Sequence, residues 1–296
     1  MSLPSSRQLL LYGTCTMLLA GCTLATPTNT PAPERARVDS TQTPKDENGW
    51  KPRRSVGTWR YELESKATVS LPGNSPGNTQ VGRTTLYTIT LAQAARSSGS
   101  KGDFDLTGKV DSVAVSTNNR IPQPSTGTNA PPHFSAELSA AGQLTNLRSD
   151  AITSCRHGID PLTAALQALI VPLPTTISIG TSWRDTVSTV TCRGRVPITT
   201  TAIRHYRIIS DTLWQAQPAL RIYRVDSLTV ESRPDSGSTE LTVHGSGNGS
   251  ATLYVATSSG LLFSATTMGS TQLTVATGQS VLPFRQDASE TITLIH

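Results

Sequence analysis

A period of two is the feature that most constrains the fold of this chain. Trp59, Tyr61 and Leu63 alternate with Arg60, Glu62 and Glu64, and Tyr87, Ile89 and Leu91 alternate with Thr88 and Thr90. Such alternation puts apolar side chains on one face of a strand and polar ones on the other. Further strand patterns run over 203–209, 219–230, 240–244, 251–256, 261–266, 272–276 and 291–295. Gly, Pro, Asn and Ser clusters, as at Pro72-Gly73-Asn74 and Gly245-Ser246-Gly247-Asn248-Gly249, read as the turns between them. Abundant Thr and Ser with only 15% charged residues favour strands over long helices. The chain is expected to be mainly antiparallel β.

Three patterns recur in the same order. Gly57-Thr58-Trp59-Arg60 is echoed by Gly180-Thr181-Ser182-Trp183-Arg184, and Lys109 to Val115 by Arg224 to Val230. Phe134 to Leu138, with a turn at Gly142, is echoed by Gly249 to Leu253, with a turn at Gly260. This order predicts an internal duplication. Between Val110 and Val113, and between Val225 and Leu228, the apolar phase slips by three, which predicts a β-bulge near Asp111 and another near Asp226. One segment is helical in pattern: Asp160 caps, Pro161 opens, Leu162, Leu166 and Leu169 share a face, and Pro172 and Pro174 end it. The expected fold is two similar, strongly curved antiparallel sheets, half-barrel-like, joined by one short helix at 161–170.

The N-terminus carries an address. Arg7 precedes an apolar run from Leu9 to Ala20, too short to span a bilayer, and the run closes on Leu19-Ala20-Gly21-Cys22. The segment resembles the type II signal of bacterial lipoproteins, which implies that Cys22 becomes the mature N-terminus and carries acyl chains such as palmitate. Several buried acyl chains make such attachment practically permanent. Thr23 to about Trp50 is rich in Pro, Thr and mixed charge without apolar periodicity, the composition of a tether. The division is therefore a signal at 1–21, a lipidated tether at 22–50, a first β half at 51–159, a connecting helix at 160–171 and a second β half at 172–296. Thr23 rather than Asp follows the cysteine, which points to outer-membrane sorting.

Cys15 falls within the signal, so Cys155 and Cys192 remain in the mature chain. Two leftover cysteines in an exported chain favour one disulfide. The rival is zinc at Cys155, His157, Cys192 and a distant histidine, but this spacing matches no tight ligand pair. The formal charge of +5 comes without a basic run among aromatics, so a nucleic-acid surface is not expected.

The stretch Leu173-Pro174, Ile177, Ile179-Gly180 and Ser182-Trp183-Arg184-Asp185-Thr186 resembles a motif in uncharacterised bacterial lipoproteins built from two β halves. Their shape is similar to the half-barrel lipoprotein carriers of the periplasm. The resemblance spans roughly residues 55–296 and implies architecture, with no functional residue attached.

Catalytic patterns are sparse. His133, His157, His205, His244 and His296 fall in no zinc-protease or nucleophile-elbow motif, and the glycine run at 245–249 lacks the helix and Gly-Lys of a phosphate loop. Asp111 and Asp226 would be paired acids only if the two halves met face to face. Trp59 and Trp183 read as core anchors, and Trp214, at a turn, as the candidate exposed contact. The expectation is a non-enzymatic chain with no cofactor and no metal. Two readings stay open: binding of a lipid-like ligand or a partner protein on a concave sheet, or a structural envelope lipoprotein that takes no small ligand.

Overall fold

The computed structural model describes residues 49–70, 81–97, 103–117, 123–124, 133–139, 142–149, 167–193, 196–232, 241–277 and 280–295. The strands are β1 (Gly57–Ser70), β2 (Val81–Ala95), β3 (Phe104–Thr117), β4 (Gln123–Pro124), β5 (His133–Leu138) and β6 (Leu144–Ser149). They continue with β7 (Ser182–Arg193), β8 (Val196–Trp214), β9 (Gln217–Ser232), β10 (Leu241–Ala256), β11 (Leu262–Thr277) and β12 (Ser280–Leu294). Eleven of them form one antiparallel sheet in the order β6-β5-β3-β2-β1-β12-β11-β10-β9-β8-β7, with β4 paired to β3 beside this path.

The expected pair of sheets is thus a single sheet. Each half is a meander, and β12 has no counterpart in the first. It pairs with β1 from Tyr61↔Leu294 to Ser70↔Arg285 and joins the halves without a break. The five-strand runs β1-β2-β3-β5-β6 and β7-β8-β9-β10-β11 have the same order, and the hairpins closing them, though one residue different in length, each turn on a glycine. Gly142 (φ 81°) and Gly260 (φ 68°) both sit in the left-handed region, donating to Ser139 O (2.8 Å) and Ala256 O (3.0 Å).

The sheet must curl. Its two free edges, β6 and β7, lie ten strand spacings apart, about 48 Å if flat. Yet both line one groove, with Leu144 and Thr145 on one side and Trp183 to Ser188 on the other. Inward side chains from distant strands also meet in one core: Tyr61, Ile89, Leu106, Leu138, Ile208, Leu253 and Ile292. Trp50, Leu169, Ile170, Leu173 and Ile177 complete that core, and Trp50 bridges Ile177 through N–H···O bonds of 2.8 and 3.0 Å. A smaller cluster of Ile198, Val230, Val243 and Leu273 lies elsewhere on the same inner face.

Several strand boundaries differ from the sequence reading. The glycine run at 245–249 is no turn: it lies inside β10, merging the two predicted strands there, and 261–266 and 272–276 likewise merge into β11. Gly245, Gly247 and Gly249 pair inward opposite Leu273, Thr271 and Gly269. A Cβ on Gly247 would sit 2.3 Å from Ser270 O, so close backbone approach selects glycine there. The bulge at Asp111 is present, since Thr88 pairs with Ser112 and Ile89 with Val110, leaving Asp111 extra. The one expected near Asp226 is absent. β9 alternates regularly, with Arg224 and Asp226 inward and Tyr223 and Val225 outward, because a buried ion pair substitutes for apolar side chains.

Of the expected helix at 161–170, residues 167–169 are helical with Leu169 buried, Ile170 already lies beyond its end, and 161–166 lie outside the described residues. The signal, Cys22, most of the tether, the Pro72-Gly73-Asn74 turn, Cys155, His157 and His296 also lie outside them.

Candidate functional site

The inner face carries a row of charges that alternation positions strand by strand. Asp185 on β7 stands opposite Arg204 on β8, and Arg204 opposite Asp226 on β9. In the adjoining row Trp183 stands opposite Tyr206, and Tyr206 opposite Arg224. Arg204 donates to both Asp185 oxygens, through Nε at 2.9 Å and through Nη2, and through Nη1 to the Gln167 carbonyl at 3.1 Å. Arg224 donates to Asp226 Oδ2 through Nε at 3.2 Å and Nη2 at 2.8 Å, while Oδ1, 2.8 Å from Nε, is buried without a hydrogen bond. The Arg204–Asp185 fork reaches both carboxylate oxygens and the Arg224–Asp226 pair one, and both charge-assisted pairs offset desolvation that isolated charges could not bear here. Trp183 stacks on Tyr206 with centroids 5.0 Å apart and planes at 2°, and the guanidinium carbons of Arg204 and Arg224 lie 5.8 and 6.0 Å from the Tyr206 ring centre.

Glu290 on β12 extends the second row, opposite Thr267 on β11 and Ser65 on β1. It is buried, and burial pushes its carboxyl up to about 7 although the Arg224 charge pulls the other way. Burial likewise raises the Tyr206 hydroxyl to about 12.

At the free edges this row opens to a groove of about 700 Å³. One wall is β7 with Trp183, Asp185 and Val187 inward; the other is the β5–β6 turn and the start of β6, Gly142 to Thr145. Ile170, Leu173 and Leu144 give it an apolar lining, and Arg204 and Asp185 put one ion pair in the wall. Arg54 braces the connecting segment from the far side, donating through Nη2 to Val171 O at 2.7 Å, with burial lowering its guanidinium to about 10.

Trp59 and Trp183 both pack against the main core, as expected, and Trp183 also lines the groove. Trp214 ends β8 at the turn but is half-buried, its ring 4.8 Å from that of Tyr254, so it is no free contact. Asp111 and Asp226 do not meet. Asp111 lies outside, hydrogen-bonded by Thr90 and near Lys109 and Arg60, while Asp226 lies within. His133, His205 and His244 are exposed on three separate strands. Among the described residues no three His, Cys, Asp or Glu side chains group to hold a metal. Cys192, on β7, stands in register with Pro197 on β8, and its expected partner lies outside the described residues.

Asp185 and Arg224 enter the sequence reading only as members of repeated or motif stretches, and Arg204 and Glu290 not at all. Their parity with Trp183, Tyr206, Ile222 and Ile292 was the available signal, overridden by the habit of placing charges outward. No family model matches the chain, and neither does any curated protein.

Proposed function

We propose that this chain is a non-enzymatic envelope protein, lipid-anchored at Cys22 and sorted to the outer membrane, that binds an amphiphilic ligand or partner where its curled sheet stays open. The supporting observation is the groove between the free edges: an apolar lining of Leu144, Ile170, Leu173 and Val187 beside a single internally satisfied ion pair. Such a lining accepts an apolar body and leaves the polar end at the mouth. A Cys155–Cys192 bond belongs to the same reading, tying the segment after β6 to β7. The structural alternative, in which no small ligand is taken, draws support from the apolar side chains Val190, Ile203 and Val225 exposed on β7, β8 and β9.

A photoreactive acyl probe on the full-length membrane protein tests the assignment. Adducts on the groove peptides 142–145, 170–174 and 183–188 are expected, with their loss in Val187→Asp and retention in Ile203→Asp on the outer face. Adducts confined to the outer face, or none, would refute it.

A further inference from the structure

The two free edges of the sheet are not alike. β6 has six residues, a register irregularity against β5 between Ser135 and Glu137, a left-handed residue at Asn146 (φ 51°) and Arg148. Shortness, irregularity and charge are the devices by which proteins blunt an edge. β7 has twelve residues, pairs with β8 in unbroken register from Ser182↔Arg207 to Arg193↔Val196, and runs Thr186-Val187-Ser188-Thr189-Val190-Thr191 without charge or proline. Among the described residues no strand pairs with its outer side. Gln167 Nε2 reaches that side among the described residues, 3.5 Å from Ser188 O, at the limit of a hydrogen bond. That contact also shows which way the Ser188 backbone faces: away from β8.

The internal echo says what belongs there. It matches β1 to β7 through Trp59-Arg60 and Trp183-Arg184, and the side of β1 turned away from β2 is filled by β12. The corresponding side of β7 is its free edge, which forms one wall of the groove. We infer that the groove is a strand-acceptor site: an extended segment of a partner protein adds to β7 as β12 adds to β1. This rests on the binding role proposed for the groove and names its ligand class. Only an extended chain offers alternating N–H and C=O groups at the spacing of a strand edge. Its inward side chains would meet Trp183, Asp185 and Val187, so they should be apolar or uncharged there, as Ile292 of β12 is opposite Leu63, with the buried Glu290 one step further along opposite Ser65. Arg184, exposed on the other face of β7, favours an acidic outward residue in the partner.

The test is fluorescence anisotropy of a labelled synthetic peptide with the β12 sequence, residues 280–294, against the full-length protein in mild detergent. Two further versions carry backbone N-methyl groups on alternate residues, one for each edge of the peptide. Binding is expected for the parent and for one methylated version, with at least a tenfold loss for the other. Ser188→Pro, which removes an outward N–H without touching the β7–β8 ladder, should cause a similar loss while melting stays cooperative. Equal binding of both methylated versions, full binding to Ser188→Pro, or no binding by the parent peptide would overturn strand addition. Groove labelling by the acyl probe without peptide binding leaves the ligand site standing and removes only its strand ligand; absence of both removes the site.

Discussion

Replacing Glu290 by glutamine should make this protein more stable at neutral and alkaline pH, although it deletes a charge near an arginine. The carboxyl is buried and raised from 4.5 to about 7, burial outweighing the attraction of Arg224, which is itself bonded twice to Asp226. A folded-state value above the unfolded one means that the native protein holds the proton more tightly. The contribution is therefore full below about pH 4.5 and is lost as pH rises through about 7. A shift of this size corresponds to about 3 kcal/mol, taken as an order of magnitude. For a domain of this length that is roughly 6–12 °C in Tm. The assay is thermal unfolding followed by circular dichroism at pH values from 4.5 to 8.5. Wild type should lose stability across pH 5–7, while Glu290→Gln should be flat through that window, equal to wild type near pH 4.5 and above it at pH 8. A wild-type profile flat between pH 5 and 7, or a glutamine variant less stable at pH 8, would refute the reasoning.

Removing one member of the inner ion pair, as in Arg224→Ala, should cost about 3–5 kcal/mol by chemical denaturation, whereas Arg224→Met with Asp226→Leu should come close to wild type, because the penalty lies in the orphaned charge. Gly247→Ala should destabilise by about 2 kcal/mol or more in the same assay, since its methyl would press on Ser270 O and on Thr271 Oγ1 2.7 Å away. Thiol labelling of the mature protein without reductant should find neither Cys155 nor Cys192, and reduction should cost about 3–4 kcal/mol for a loop of about 37 residues. Stoichiometric labelling of both would exclude the bond. Cys22→Ser should leave the chain unlipidated and shift it out of the membrane fraction.

The strand content was readable because alternation is strict where the inner face is apolar, as at Trp59 to Leu63 or Tyr87 to Leu91. It failed where that face is polar or small. Gly245, Gly247 and Gly249 lie inward in a curled strand, yet a run of Gly, Ser and Asn has the composition of a turn. The same cause hides the charged row: with Asp226 inward and Val225 outward, the apolar spacing from Val225 to Leu228 mimics a bulge that β9 does not contain. The bulge at Asp111 was legible because a true change of face accompanies it, and Val113 returns to the core side. That the halves form one sheet was not legible, since pairing of β1 with β12 joins segments more than two hundred residues apart and leaves no local mark. The groove arises from that closure failing on the opposite side; the motif from Leu173 to Thr186 contains much of one wall, but nothing local marks Leu144 and Thr145 as the wall facing it.

Native mass spectrometry of the full-length protein released from its own membranes tests most directly that the open edge of the sheet holds a ligand. The account predicts a mass above that of the lipidated chain by one bound ligand, with the excess absent in Val187→Asp while that variant still unfolds cooperatively. The bare mass of the lipidated chain in both proteins, or an excess that Val187→Asp leaves unchanged, would contradict it.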